Sequence, residues 1–234
     1  MLEKLDRVIQ WTWLPEITEW AVEQAIAIQQ IAAPTFAEHQ RAEHVANEFR
    51  ALDLQQVEID DLYNVYGLLP GNNRDIPGVM ITAHTDTVFP KETDLRIRRE
   101  NDLIYGPGLG DNSVGVAGVL ALVAALKRAE ITPACDLWIV SPSREEGLGD
   151  LGGMRAAFAR LKSKVGSVIN VEGLAFGHVY HAGIAVRRLK ITAHTSGGHS
   201  WLHFGRPSAI HAVMQLGAQI TTIPVPQVPR TTYN

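Results

Sequence analysis

The sequence predicts an α/β fold, a mainly parallel or mixed sheet covered by helices, and three observations predict it. Between residues 79 and 171 short β-rich runs alternate with helical stretches in the order βαβαβ, as expected of parallel strands joined by crossover helices. Turn chemistry separates the runs, most clearly at Pro70-Gly71-Asn72-Asn73. Hydrophobic residues make up 46% and charged residues 20% of the 234. That is an ordinary globular balance in a chain long enough for one large domain or two modest ones.

Taken in order, Ile17, Val22, Ala25, Ile26 and Ile31, then Val45, Phe49 and Leu52, recur at helical spacing, and Pro34 interrupts them. Two helices joined at Ala33-Pro34-Thr35 follow, and Thr35 three residues before Glu38 has the spacing of a capping box for the second. Strands are expected at residues 57–59, 65–69 and 79–83. The stretch 114–129 reads as a helix that is apolar on nearly every face. A strand at 137–140, a helix at 153–162 and a strand at 168–171 complete the alternation. From about Val179 the character changes to a strand at 185–193, a Gly-rich loop and a helix from Pro207 to about Ile220, before Pro224, Pro226 and Pro229. A domain boundary is therefore placed near Gly183, dividing 1–182 from 183–234.

Charge and composition narrow the function classes. The net charge is -4 with a pI near 6.1, and no basic stripe interleaves with aromatics, so neither nucleic acid nor an anionic membrane is the expected partner. A small-molecule partner fits better. Cys135 is the one cysteine; alone it forms no intrachain disulfide and no thiolate metal site, and it reads as a small buried hydrophobe. The first twenty residues lack the apolar run of a secretory leader, and the apolar stretch 114–126 falls short of the roughly 20 residues of a membrane span. A cytoplasmic location is expected.

Three expected strands end in polar side chains able to ligate a metal or move a proton. The first runs into His84-Thr85-Asp86, the second leads through Ser141-Pro142-Ser143-Arg144 to Glu145-Glu146, and the third ends at Glu172. Asp111 sits in a Gly-rich loop, Gly106 to Asn112, that opens the apolar helix. Ligand sites of open α/β sheets lie at the carboxyl ends of strands, so these residues are expected to converge. Five carboxylates around one imidazole cannot all stay ionised without compensation, and divalent cations supply it. One His with several carboxylates suits zinc, manganese or cobalt, and a carboxylate in the middle can bridge two ions. Each signal also has a plainer reading. A His-X-Asp tripeptide is more often a surface pair, adjacent glutamates are common on solvated faces, and a Gly-rich loop can cradle phosphate. This loop, however, lacks the Gly-Lys-Ser/Thr of a P-loop and the spacing of a dinucleotide fingerprint.

Together and in order, AHTDTVFP, GPGLGDNSVGVAGVL, SPSREEGLGDLGG and NVEG resemble the co-catalytic di-zinc metallopeptidase family of carboxypeptidase G, peptidase T, acetylornithine deacetylase, succinyl-diaminopimelate desuccinylase and aminoacylase. The resemblance implies a hydrolase that cleaves an amide bond in a peptide or N-acyl amino acid with two divalent ions, most often zinc. It implies His84 as a ligand of one metal, Asp111 bridging both, Glu172 completing the His84 site and Glu146 on the other ion. Asp86 would orient His84, and Glu145 would be the general base toward the metal-bridging water. A cis peptide after Asp111 is implied as well. Residues 1–182 would be the metal-binding catalytic domain and 183–234 the start of an inserted α+β dimerisation or lid domain of a homodimer. There His199 would hold the substrate carbonyl oxygen, typically in the partner's active site, while His194, His203 and His211 match no role. Family members are usually longer. The resemblance thus implies a chain that stops inside the lid before the last His ligand, leaving the Glu146 and Asp111 site the poorer one. A catalytically deficient metal-binding or dimerisation fragment is the alternative, and nucleotide binding by the Gly106 to Gly110 loop a third reading.

Overall fold

A computed structural model describes residues 11–173, 176–183, 186, 188–228 and 231–232. Within it, contacts divide the chain into two compact units, Met1–Gly177 and His178–Asn234.

A 3-10 turn at Trp11–Trp13 leads into α1 (Leu14–Gln29), which carries a proline in its first turn, where the backbone N–H has no intrahelical partner to lose. The helix α2 (His39–Ala51) buries Arg41, Ala42, Val45, Ala46 and Phe49, a stripe at three- and four-residue spacing that faces the sheet. The expected capping box is absent. Glu38 precedes α2 without capping it, because its Oε1 accepts instead from the N–H groups of Phe36 (2.9 Å) and Arg144 (3.2 Å). The Thr35 hydroxyl likewise turns away, donating to Asp86 Oδ2 at 2.8 Å. Long-range partners have outcompeted the local ones.

After α2 come β1 (Gln55–Ile59), β2 (Val65–Leu69) and β3 (Gly78–Thr82), then a hairpin of β4 (Arg98–Glu100) and β5 (Leu103–Tyr105). The chain continues through α3 (Val114–Arg128), β6 (Leu137–Ser141), α4 (Gly152–Leu161) and β7 (Val165–Asn170). The five-stranded sheet has the order β1-β2-β6-β3-β7. Its strand β3 lies between β6 and β7 and is parallel to both, while β2 pairs antiparallel with β6 and with β1. The sheet is therefore mixed, with helices on both faces. The β4–β5 hairpin was not expected: each strand is three residues long and mostly exposed, so it carries no alternating apolar signal.

The side-chain alternation of the strands builds two cores. Val65, Ile81 and Ile139 face one way, into a cluster with Ile28, Val45, Phe49, Val116, Val119, Leu120 and Val123 of the three long helices. Their neighbours Tyr66, Leu68, Met80, Trp138 and Val140 face the other way, against Ala157 and Leu161 of α4. The segment Leu109–Arg128 is 20 residues long with a mean hydropathy of 1.7, enough by length and composition to cross a membrane. Its packing in the first of these cores accounts for that apolar character.

In the second unit α5 (Ala209–Ile220) is capped by Ser208, whose hydroxyl accepts the His211 N–H. None of its residues is buried. The strand expected at 185–193 is not found: residues 186 and 188–193 are irregular, and residues 185 and 187 lie outside the described ones. Among the described residues of this unit there is no second strand to complete a ladder, which an isolated strand needs.

Candidate metal centre

The carboxyl ends of the parallel strands β3, β6 and β7 lie side by side, and the chain leaving each of them carries site residues. Past β3 the backbone stays pinned to its neighbours. Ala83 N–H donates to Val140 O (3.3 Å), Thr85 N–H to Pro142 O (2.8 Å), and Val171 N–H to Thr82 O (2.7 Å). This holds His84, only 3% exposed, in a fixed orientation.

The His84 ring is oriented at both nitrogens. Nδ1 lies 3.0 Å from the main-chain carbonyl of Asp86, which can only accept, so Nδ1 carries a proton. Nε2 faces Asp111 Oδ1 at 3.0 Å and Glu172 Oε2 at 3.6 Å. Burial disfavours the imidazolium, yet the hydrogen bond to Asp111 and the nearby carboxylates of Asp86 and Glu172 outweigh it and push the His84 pKa up to about 12.

Asp111 is delivered by the tight turn Leu109–Ser113, entered at Gly108 with a φ of 69°. The turn is closed by the Ser113 hydroxyl donating to Gly108 O at 2.7 Å, and the Asp111–Asn112 peptide is cis. Gln29, fully buried at the end of α1, donates to Pro107 O at 2.9 Å and braces the turn from behind. The hydrogen bond with His84 holds the Asp111 carboxyl below the usual range against the effect of its partial burial.

Asp86 ties the β6 loop to this arrangement. It is wholly buried, and its Oδ1 accepts the Glu145 N–H (2.8 Å) and its Oδ2 the Glu146 N–H (3.0 Å). The carboxyls of Glu145 and Glu146 are both raised, first by burial and then by neighbouring carboxylates. Glu172 follows β7 and receives a hydrogen bond from Asn170 Nδ2 at 2.7 Å.

Two groups of side chains offer ligand atoms that all lie within 4.8 Å of one another: His84, Asp111 and Glu172, and His84, Glu145 and Glu146. The donor set fits a divalent cation. An imidazole nitrogen surrounded by carboxylate oxygens holds a proton in the position where a cation would relieve the same repulsion. The Gly-rich loop serves to bring Asp111 to His84. His199, by contrast, sits in the second unit, where its Nδ1 accepts from the N–H groups of Trp201 (3.3 Å) and Leu202 (3.4 Å).

Several residues that shape the centre were not singled out from sequence. Arg41 is 2% exposed and donates to Thr85 O (2.9 Å), Ile31 O and Gln29 O, pinning the residue beside His84. Burial first of all lowers its pKa to about 10, and the charge of Asp86 acts against that. The available signal was a charged residue on the apolar stripe of α2. Thr35 and Glu38, which the spacing pairs as a cap, bond Asp86 and the Arg144 backbone instead, and Asn112 and Asn170 lie beside carboxylates with no local pattern to mark them.

Similarity to known proteins extends over most of this chain. The profile of peptidase family M20/M25/M40 matches residues 80–228. A succinyl-diaminopimelate desuccinylase of Corynebacterium glutamicum is 26% identical over 200 residues, covering 85% of this chain and 53% of that one. A probable carboxypeptidase of Arthroderma otae is 28% identical over 199 residues, covering 75% of this chain and 42% of that one. The chain thus spans about half the length of the curated relatives it matches. Among solved structures, aminopeptidase PepT of Bacillus cereus shares the fold with a TM-score of 0.57 and 22% identity, over 66% of this chain and 43% of that one.

Proposed function

This chain belongs to peptidase family M20/M25/M40, and from that premise we propose that it is a divalent-metal-dependent hydrolase cleaving an amide bond in a peptide or an N-acyl amino acid. The observation that carries the reading is the imidazole of His84 with Asp111 and Glu172 facing its Nε2 at 3.0 and 3.6 Å. Relatives named a desuccinylase and a carboxypeptidase are consistent with the bond type.

In this reading His84, Asp111 and Glu172 would hold one ion, most readily zinc, and Glu146, whose carboxyl hydrogen-bonds Asp111, would with Asp111 hold the other. Bound divalent ions would supply Lewis acidity, lowering the pKa of the attacking water and polarising the scissile carbonyl. Glu145 takes the proton of that water and passes it to the leaving amine nitrogen. Its carboxyl, raised by burial and neighbouring acids, sits closer to neutrality than an exposed glutamate and suits a group that must both accept and release a proton. Asp86 fixes the His84 ring through its carbonyl and the Glu145 and Glu146 backbone through its carboxylate, so base and ligands keep one geometry. We assign residues 183–234 to a dimerisation domain and His199 to the substrate carbonyl oxygen in a partner's site. The exposed Ile210, Val213 and Met214 of α5 support a surface that pairs.

Assay of the purified chain with zinc or manganese against dipeptides, tripeptides and N-acyl amino acids, N-succinyl compounds included, tests this. Metal-dependent hydrolysis that Glu145→Gln abolishes without loss of bound metal is expected. Bound metal with no hydrolysis of any of these would overturn the catalytic reading and favour a metal-binding fragment.

A further inference from the structure

We propose that Asn112 is a positioning residue of the metal centre, its carboxamide bracketing Glu172 and setting that carboxylate against Asp111. The proposal rests on the metal-binding reading above and adds what holds two of its ligands together. Asn112 is fully buried. Its Nδ2 donates to Val171 O at 2.8 Å and its Oδ1 accepts from Gly173 N–H at 3.1 Å. One planar group therefore takes the main-chain partners immediately before and immediately after Glu172. Because Asn112 directly follows Asp111, a single residue joins two carboxylates, one from the turn before α3 and one from the end of β7.

The surroundings are shaped for this contact. A Cβ added at Gly115 would overlap Asn112 Oδ1, and one added at Gly173 would overlap the Gly110 carbonyl oxygen. Two loops so close leave room for one flat side chain between them. A carboxamide of this length offers a donor and an acceptor at once, which the similarly shaped Asp, with no donor when ionised, and Leu, with neither, do not. Nor is Asn112 serving the start of α3, which has no side-chain cap. From the other side, Asn170 holds Glu172 Oε1 while its own Oδ1 accepts the Thr82 hydroxyl at 2.7 Å. Main chain and side chain of Glu172 are thus fixed independently, as a ligand poised before metal arrives requires.

Zinc affinity by competition with a chromophoric chelator, and the visible spectrum of the cobalt-loaded protein, are compared in the wild type, Asn112→Ala, Gly115→Ala, Glu172→Ala and the double variant Asn112→Ala/Glu172→Ala. Asn112→Ala and Gly115→Ala should each weaken zinc binding roughly 10- to 100-fold and shift the cobalt bands. Once Glu172 is absent, Asn112→Ala should weaken binding by less than about threefold further, because its effect runs through Glu172. Gly115→Ala keeps residue 112 an asparagine but pushes its carboxamide aside, and it puts a better helix former in α3, so it decides the matter should Asn112→Ala not fold. Wild-type affinity and spectrum in either single variant would overturn the proposal, as would an equal loss with and without Glu172. Loss of fold in both single variants would overturn it too, marking Asn112 as a folding residue. A wild-type protein that binds no metal would instead overturn the reading on which the proposal rests.

Discussion

Replacing Asp86 with Asn keeps the shape of a wholly buried side chain and removes one acceptor. The carboxylate accepts three hydrogen bonds, from Glu145 N–H at 2.8 Å, Glu146 N–H at 3.0 Å and the Thr35 hydroxyl at 2.8 Å. The two N–H donors reach different oxygens, so whichever way an Asn amide turns, its NH2 faces one of them. An unpaired buried donor costs about 1–3 kcal/mol, and the lost charge on the remaining bonds about 1 kcal/mol more. Removing a negative charge from an acidic cluster acts in the opposite direction. Burial also disfavours the Asp86 charge, but the His84 ring beside it, the two backbone N–H groups and Thr35 outweigh it and hold the carboxyl below its usual range. The net is a loss of about 1–3 kcal/mol, which in a chain of this length lowers the thermal midpoint by roughly 2–12 °C. Circular dichroism melts of the metal-free protein measure it. An Asp86→Asn midpoint within about 1 °C of wild type would refute the view that this carboxylate holds the β6 loop.

Other outcomes follow from the same geometry. Arg41→Met should cost about 3–5 kcal/mol in urea denaturation, because buried carbonyls of Thr85, Ile31 and Gln29 lose their donor; Arg41→Lys, which cannot reproduce the fork, should recover only part of it. Thr35→Val should lower stability by about 1 kcal/mol while leaving metal content unchanged, since Asp86 keeps its two backbone donors. Zinc at about 100 times its dissociation constant should raise the stability of the wild type by about 2.7 kcal/mol, and a chelator should reverse the gain.

How much was legible in the sequence depended on whether the signal was local. The strands β2, β3 and β6 were readable because they are buried on both faces and therefore largely apolar, and α3 because no polar residue interrupts it from Val114 to Leu126. Their ends placed His84 and the Glu145-Glu146 pair at one edge of the sheet. The Thr35 to Glu38 spacing is a local pattern that tertiary partners overrode, with Asp86 and the β6 loop claiming both side chains. Arg41, Gln29 and Asn112 act on backbone groups far along the chain, and no spacing rule encodes a contact 44, 78 or 59 residues away. The stretch 185–193 has strand-like residues, but a strand is defined by its pairing, and among the described residues of the second unit none pairs with it.

The central claim, that His84 with Asp111 and Glu172 forms a divalent-metal site, is tested most directly by zinc content. Elemental analysis after dialysis against zinc, on the wild type and on His84→Ala, should find at least about one tightly held ion per chain in the first and a clear loss in the second. Equal zinc in both proteins, or none in the wild type, would contradict it.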